Sequence, residues 1–251
     1  KADKKYLTKH FKKRNQTLSQ MTDWNPAEII GKNPKKLSSS IYSRLVTDKS
    51  WAIAREKMGY SKLKNKKLMN LYSGKPYIDV RKSFFSFIPQ QVNIKDKNKI
   101  VDFWVENLKK SPFLHDKAEF NVAVTAYDFE IKKKLNSYLP DKITSKTKKK
   151  LEFLYKDIFI KNIKKNSDAN LNKISKKINY LSLLQKKFSI KKSKKKNKEN
   201  IKLIIKNCIK YGIIPFSQAA RHGFIAKGLI DSLVSRKILT KKRSIELQKV
   251  V

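Results

Sequence analysis

The chain has 251 residues and a mass of 29.4 kDa, and 39% of it is apolar with 26 aromatic residues, enough to fill a core and to exclude a wholly disordered polymer. Lys and Arg number 61 against 20 Asp and Glu, a formal charge of +41 that points to a polyanion such as nucleic acid or an acidic membrane surface. That basicity is 54 Lys and only 7 Arg, and the chain is also rich in Ile and Asn, the composition an AT-rich genome produces when codon drift replaces Arg by Lys. Much of the charge then reflects drift.

Six glycines (Gly31, Gly59, Gly74, Gly212, Gly223, Gly228) leave no G-x-G, so the dinucleotide fingerprint is absent. Gly223 to Gly228 has the spacing of a phosphate loop, but Leu229-Ile230 stands where Lys-Ser/Thr is required. One cysteine, Cys208, allows no internal disulfide, and His10, His115 and His222 are too dispersed for a zinc site. No metal site and no catalytic residue is assigned. A reducing, cytoplasmic setting and no transmembrane segment are expected.

Residues 1–20 read as a basic lead-in, and the chain opens on Lys1, as a fragment of a longer protein would. Asp23-Trp24-Asn25-Pro26 then marks the start of a mixed α/β part spanning 21–135. Asp23 or Asn25 caps a short helix begun by Pro26 and ended by Gly31. Helical periodicity follows through Ile41, Leu45, Trp51, Ala54 and Met58 up to Gly59. A strand is predicted near 77–83, where Ile78 and Val80 alternate with Asp79, Arg81 and Ser83. Residues 96–110 form a helix stopped by Ser111-Pro112, and a second strand near 119–127 puts Phe120, Val122 and Val124 opposite Glu119, Asn121 and Thr125.

From residue 141 to 251 the pattern is purely helical, with apolar stripes at 151–163, 171–188 and 201–209 interrupted by a Lys-rich loop at 191–200. Cys208 falls in a core stripe. A helix from about Ser217 carries Ala219, Ala220, Gly223 and Ala226, small residues suited to close helix approach, and a short basic helix closes the chain at 241–250. The expected fold is α+β, mainly α: a small β element followed by a helical bundle.

Asp79, Arg81 and Ser83 on one polar strand face form a candidate grip for a small anionic substrate, since a guanidinium beside a carboxylate can hold an anion bidentately. An ordinary Asp–Arg surface pair has the same spacing. Arg221 and His222 sit among small residues where a partner can approach, and Asp23, Trp24, Asn25 and Glu28 are candidates for interdomain contact, with helix capping as the simpler role for the acids. His115-Asp116 reads as a turn.

Four blocks in order, residues 23–31 (DWNPAEIIG), 74–81 (GKPYIDVR) with Ser83, Phe87 and Pro89, 114–120 (LHDKAEF), and Tyr211-Gly212 through Pro215-Phe216, Ala219-Arg221 and Gly223-Phe224, resemble the central region of phosphoenolpyruvate synthase-like proteins, relatives of pyruvate, phosphate dikinase. The resemblance covers about residues 21 to 235. It implies a connecting, substrate-side segment of an ATP-dependent phosphotransferase, between an ATP-grasp domain and a swivelling phosphohistidine domain of the same polypeptide. ATP and Mg²⁺ are then expected in the full-length protein, with no cofactor bound by this segment and no activity from it alone. The Gly-Gly-x-x-Ser/Thr-His setting of the phosphohistidine is absent, so His222 does not carry over as the phosphoryl carrier. The alternative is a basic protein binding nucleic acid without specificity, because scattered Lys attracts phosphate while no base-reading element is visible.

Overall fold

The computed structural model describes residues 17–20, 23–164, 167–190 and 197–250. The expected lead-in at 1–20 and the loop at 191–200 therefore lie largely outside the described residues. The fold is mainly α with one small antiparallel sheet, as the periodicity implies.

The sheet is made of β1 (Leu18–Ser19), β2 (Met69–Tyr72) and β3 (Lys75–Asp79), in the order β1-β3-β2. Ser73 and Gly74, at φ 49° and 77°, form the tight turn between β2 and β3, where two consecutive positive φ values match the twist of a two-residue hairpin. Ile78 pairs with Met69 across the hairpin and with Ser19 of β1. Pro76, which has no N–H to give to a ladder, lies beyond the two residues that β1 covers.

α1 (Pro26–Ile29) is a single turn started by Pro26, and the chain leaves it through Gly31 at φ 91°. α2 (Lys36–Tyr42) runs into a π-helical turn (Ser43–Thr47), and α3 (Ser50–Lys57) ends at Gly59, φ 101°. Gly59 does more than end α3, because a Cβ there would stand 3.1 Å from Ile158 Cγ1.

The strand expected at 77–83 is shorter than its pattern. It stops at Asp79, whose carboxylate accepts from the Lys82 backbone N–H and so caps α4 (Val80–Phe85). Arg81 and Ser83 therefore stand on a helix. Alternation over a few residues fits a strand end and a helix start equally well, and the cap decides.

The second expected strand, 119–127, is absent: α6 (Ala118–Asn121) occupies its start, after α5 (Ile94–Lys110) and a 3₁₀ turn (Pro112–Leu114). Val122, Ala123 and Val124 are all buried, which no alternating strand would allow. The carbonyls of Val124 and Thr125 are satisfied by side chains in place of a ladder, Val124 O by Tyr155 (2.7 Å) and Thr125 O by Tyr60 (3.0 Å).

α7 (Ile131–Ser137), α8 (Ser145–Ile163), α9 (Leu171–Ile190) and α10 (Asn197–Asn207) follow. Residues 197–200, expected in the Lys-rich loop, are helical. A second π-helical turn (Cys208–Ile213) leads directly into α11 (Ile214–Ser235), with Pro215 in its first turn, and α12 (Lys241–Val250) closes the chain. Cys208 is half-buried rather than a core residue. Close approach falls at Gly212, where a Cβ would come 2.9 Å from Leu181 Cδ2, and not at Gly223, where it would meet nothing.

Burial explains the architecture. The main core joins Met58, Tyr60, Phe84, Phe87, Ile88 and Trp104 to Leu151, Leu154, Tyr155 and Ile158 of α8, so a single core runs across the 135–141 boundary. A smaller core of Tyr42, Val46, Trp51, Leu68, Met69 and Ile78 lies under the hairpin, and Phe85 packs against both. Asn162 ties the halves further by donating to Met58 O at 2.9 Å. α11 packs on α3, and that pairing positions the site described below.

Ile78→Ala and Val124→Ala, at 0% and 2% exposure, each lower stability by roughly 1–4 kcal/mol in urea titrations, while Phe153→Ser, at 67% exposure on α8, changes it by less than about 0.5 kcal/mol.

Candidate functional site

Buried arginine is costly, because each N–H of the guanidinium fork taken from water needs an acceptor. Arg55 on α3 and Arg221 on α11 are 6% and 4% exposed, and their surroundings define the site. Arg55 donates from Nη1 and Nη2 to the two carboxylate oxygens of Asp23, 2.9 Å each, and from Nη1 to Ser86 Oγ at 2.7 Å. Ser83 Oγ donates to Asp23 Oδ2 at 2.6 Å. Arg221 pairs with Glu119 of α6 and donates from Nη2 to Thr125 O (3.0 Å) and Oγ1 (2.7 Å). Both guanidinia lie over the ring of Phe87, at 4.0 Å for Arg55 and 5.0 Å for Arg221, and Arg221 also faces Tyr60 and Phe224.

These pairs form one wall of a cleft of about 360 Å³, lined by Asp23, Trp24, Asn25 and Glu28 from the first segment, His115, Asp116 and Glu119 from around α6, and Ser217, Ala220, Arg221 and Phe224 from α11. Burial pushes the Glu119 carboxyl above the usual carboxylate range, against the pull of Arg221, and the Asp23 charge raises it further. Burial also raises the Tyr42 phenol, helped by Asp23, so its hydroxyl stays protonated and donates to Trp24 O.

The backbone at the cleft is strained. Asp23 and Trp24 hold φ values of 133° and 53°, each a conformation costing about 1–3 kcal/mol for a residue with a side chain. The bidentate Arg55 and the Tyr42 hydroxyl hold them there.

The candidate interdomain residues come together: Asp23, Trp24, Asn25, Glu28 and Arg221 all line the cleft. Asp23 and Asn25 do not cap α1. Asn25 occupies the N-cap position without a side-chain bond, and the Asp23 carboxylate is committed to Arg55 and Ser83. His222 turns away and bonds Ala169 O through Nε2 at 2.7 Å, as the helical period requires of the neighbour of an inward-facing Arg221.

The candidate anion grip does not assemble. Asp79 is a buried cap, Arg81 pairs with Asp102 on α5, and Ser83 supports Asp23. With residues 80–85 in a helix, the three no longer share a face. Arg55 and Glu119 are the residues that the sequence reading missed. Arg55 lies in an apolar helical stretch of a chain that otherwise spends Lys, which was its one available signal. Glu119 was placed on the polar face of a strand that does not form.

Among the described residues no group of three or more His, Cys, Asp or Glu could hold a metal ion, and no helix is long and apolar enough to cross a membrane. Compared with protein-family models, with curated proteins and with solved structures, the chain matches none.

Arg55→Ala leaves Asp23 buried without its counter-ion and lowers stability by roughly 3–5 kcal/mol, and Arg55→Lys recovers only part of this because an ammonium cannot span both oxygens. Arg81→Ala, which breaks a pair with a half-exposed Asp102, costs less than about 1 kcal/mol. Urea midpoints of the three variants check the ranking.

Burial raises the Asp79 carboxyl, while Lys82 and Arg81 pull it down by less. The folded state therefore binds that proton more tightly than the unfolded chain, and stability conferred at low pH falls as pH rises from about 4 upward. Asp79→Asn keeps a capping oxygen, flattens that slope and leaves stability at pH 7 equal or higher, read as urea midpoint against pH.

Proposed function

We propose that this chain is the connecting, substrate-side segment of an ATP-dependent phosphotransferase resembling phosphoenolpyruvate synthase, and that the cleft is where a neighbouring domain docks. One observation carries the reading. The sequence blocks at 23–31, 114–120 and 211–224, far apart in the chain, all contribute to the cleft lining, and the block at 74–81 with Ser83 and Phe87 supplies those two side chains behind it. Blocks that resemble one family and meet on one surface are what a shared contact requires.

The chemistry of the cleft favours docking over phosphoryl transfer. Transfer needs preorganised donors whose charge is free to meet the phosphate. Here both guanidinium charges are already matched, Arg55 by Asp23 and Arg221 by Glu119. On this reading ATP and Mg²⁺ belong to an ATP-grasp domain and the phosphoryl group travels on a phosphohistidine domain, both parts of the same polypeptide.

Incubated with ATP, Mg²⁺ and pyruvate, the chain yields neither phosphoenolpyruvate nor phosphoprotein, and a phosphohistidine domain of a phosphoenolpyruvate synthase-like protein added in trans binds it saturably, measured by calorimetry. ATP-dependent histidine labelling lost in His222→Ala would overturn the connecting role.

A further inference from the structure

Carboxylates are unevenly distributed along the chain. Residues 169–230 hold 15 Lys, Arg221 and a single acid, Glu199, while the remaining 189 residues hold the other 19 acids. Exchange of Arg for Lys by drift leaves carboxylates in place, so drift does not account for a stretch of 62 residues almost without them. Lysine is densest at 191–198, where the sequence KKSKKKNK leads into α10.

α10 joins that charge to exposed apolar surface. Ile201, Ile204, Ile205 and Cys208 recur at helical spacing and form one row, the pattern that ordinarily marks a core-facing helix. Here Ile201 and Ile204 are 56% and 41% exposed, and Ile205 and Cys208 are no more than half-buried. The helix packs chiefly on the π-helical turn that continues it, and the row stays largely open among the described residues. Lys202 and Lys206, both exposed, stand one turn apart on the adjoining flank.

Charge narrows what can cover this row. A second copy of a +41 chain repels, and the stretches of this chain beyond the described residues are themselves basic: 1–16 has seven Lys and Arg against one acid, and 191–196 has five Lys and no acid. A nucleic acid answers the lysines but offers no apolar surface to the isoleucines. An anionic bilayer answers both, with headgroups for ammonium groups whose stems lie along apolar surface and with acyl chains for the isoleucines. Lys also suits diffuse headgroup charge, whereas a bidentate pair with a protein carboxylate calls for the guanidinium fork.

We infer that α10 is a membrane-surface helix, whose row through Ile201 and Ile204 enters the headgroup region of an anionic bilayer and is held there by the surrounding lysines. The contact is peripheral, involves none of the residues that line the cleft, and does not rest on the docking reading.

The full chain is mixed with phosphatidylcholine vesicles containing about one third phosphatidylglycerol, with vesicles of phosphatidylcholine alone, and with a short DNA duplex. It sediments with the anionic vesicles and not with phosphatidylcholine alone. Ile201→Ser and Ile204→Ser, exposed substitutions that leave the urea midpoint unchanged, each weaken vesicle binding roughly three- to tenfold, and the double variant weakens it more than about tenfold, while affinity for the duplex is unchanged. Cys208 is the one cysteine of the chain, so Cys208→Ser with Ile204→Cys puts an environment-sensitive dye on the row. Its emission shifts to the blue on anionic vesicles, and that of the same dye carried by Phe153→Cys on α8 does not. No binding to anionic vesicles, a double variant that sediments like the parent, an equal loss on the duplex, or equal shifts at the two dye positions overturns the inference. A dimer in sedimentation equilibrium that Ile204→Ser dissolves overturns it in favour of a second copy.

Discussion

Phe87 with a guanidinium from each of two helices is the contact on which the rest of the site depends. Neither arginine can be buried alone, since each needs an anion and additional acceptors to replace the water it loses. Arg55 draws in Asp23, Ser86 and, through Asp23, Ser83. Arg221 draws in Glu119 and Thr125. Five distant parts of the chain are thereby fixed around one aromatic ring: the segment before α1, α3, the end of α4, the stretch around α6, and α11.

That arrangement also accounts for the strained backbone at Asp23 and Trp24. A strained pair of residues persists only when surrounding contacts over-determine it. Here the Asp23 side chain is gripped at both oxygens and the Trp24 carbonyl is held by Tyr42. The strained segment carries Trp24 and Asn25 along the cleft wall.

The scarcity of arginine becomes informative in this light. Of the six arginines among the described residues, Arg55 and Arg221 are the two that are buried. There the chain keeps the planar fork, because a bidentate carboxylate pair and stacking on an aromatic face both fail with an ammonium. The large net charge thus says little about the cleft, which is acidic apart from its two matched arginines.

Helices were legible from the sequence because their burial period repeats over many residues: 96–110, 151–163 and the stop of α3 at Gly59 all follow from local chemistry. The blocks that meet at the cleft were legible too, although only as separate stretches. Short elements were not. Residues 79–83 satisfy strand alternation and a helix cap at once, and Asp79 resolves the choice only by bonding the Lys82 N–H. Residues 122–125 look like a strand, but the carbonyls of Val124 and Thr125 find their partners in Tyr60, Tyr155 and Arg221. Sequence by itself determined the mainly helical class and part of the buried set, such as Trp51, Met58 and Leu151, since both depend on periodicity along the chain. Tertiary structure decided which charges meet, because the pairing of Asp23 with Arg55 and of Glu119 with Arg221 joins residues separated by 32 and 102 positions in sequence, a distance over which local pattern carries no information.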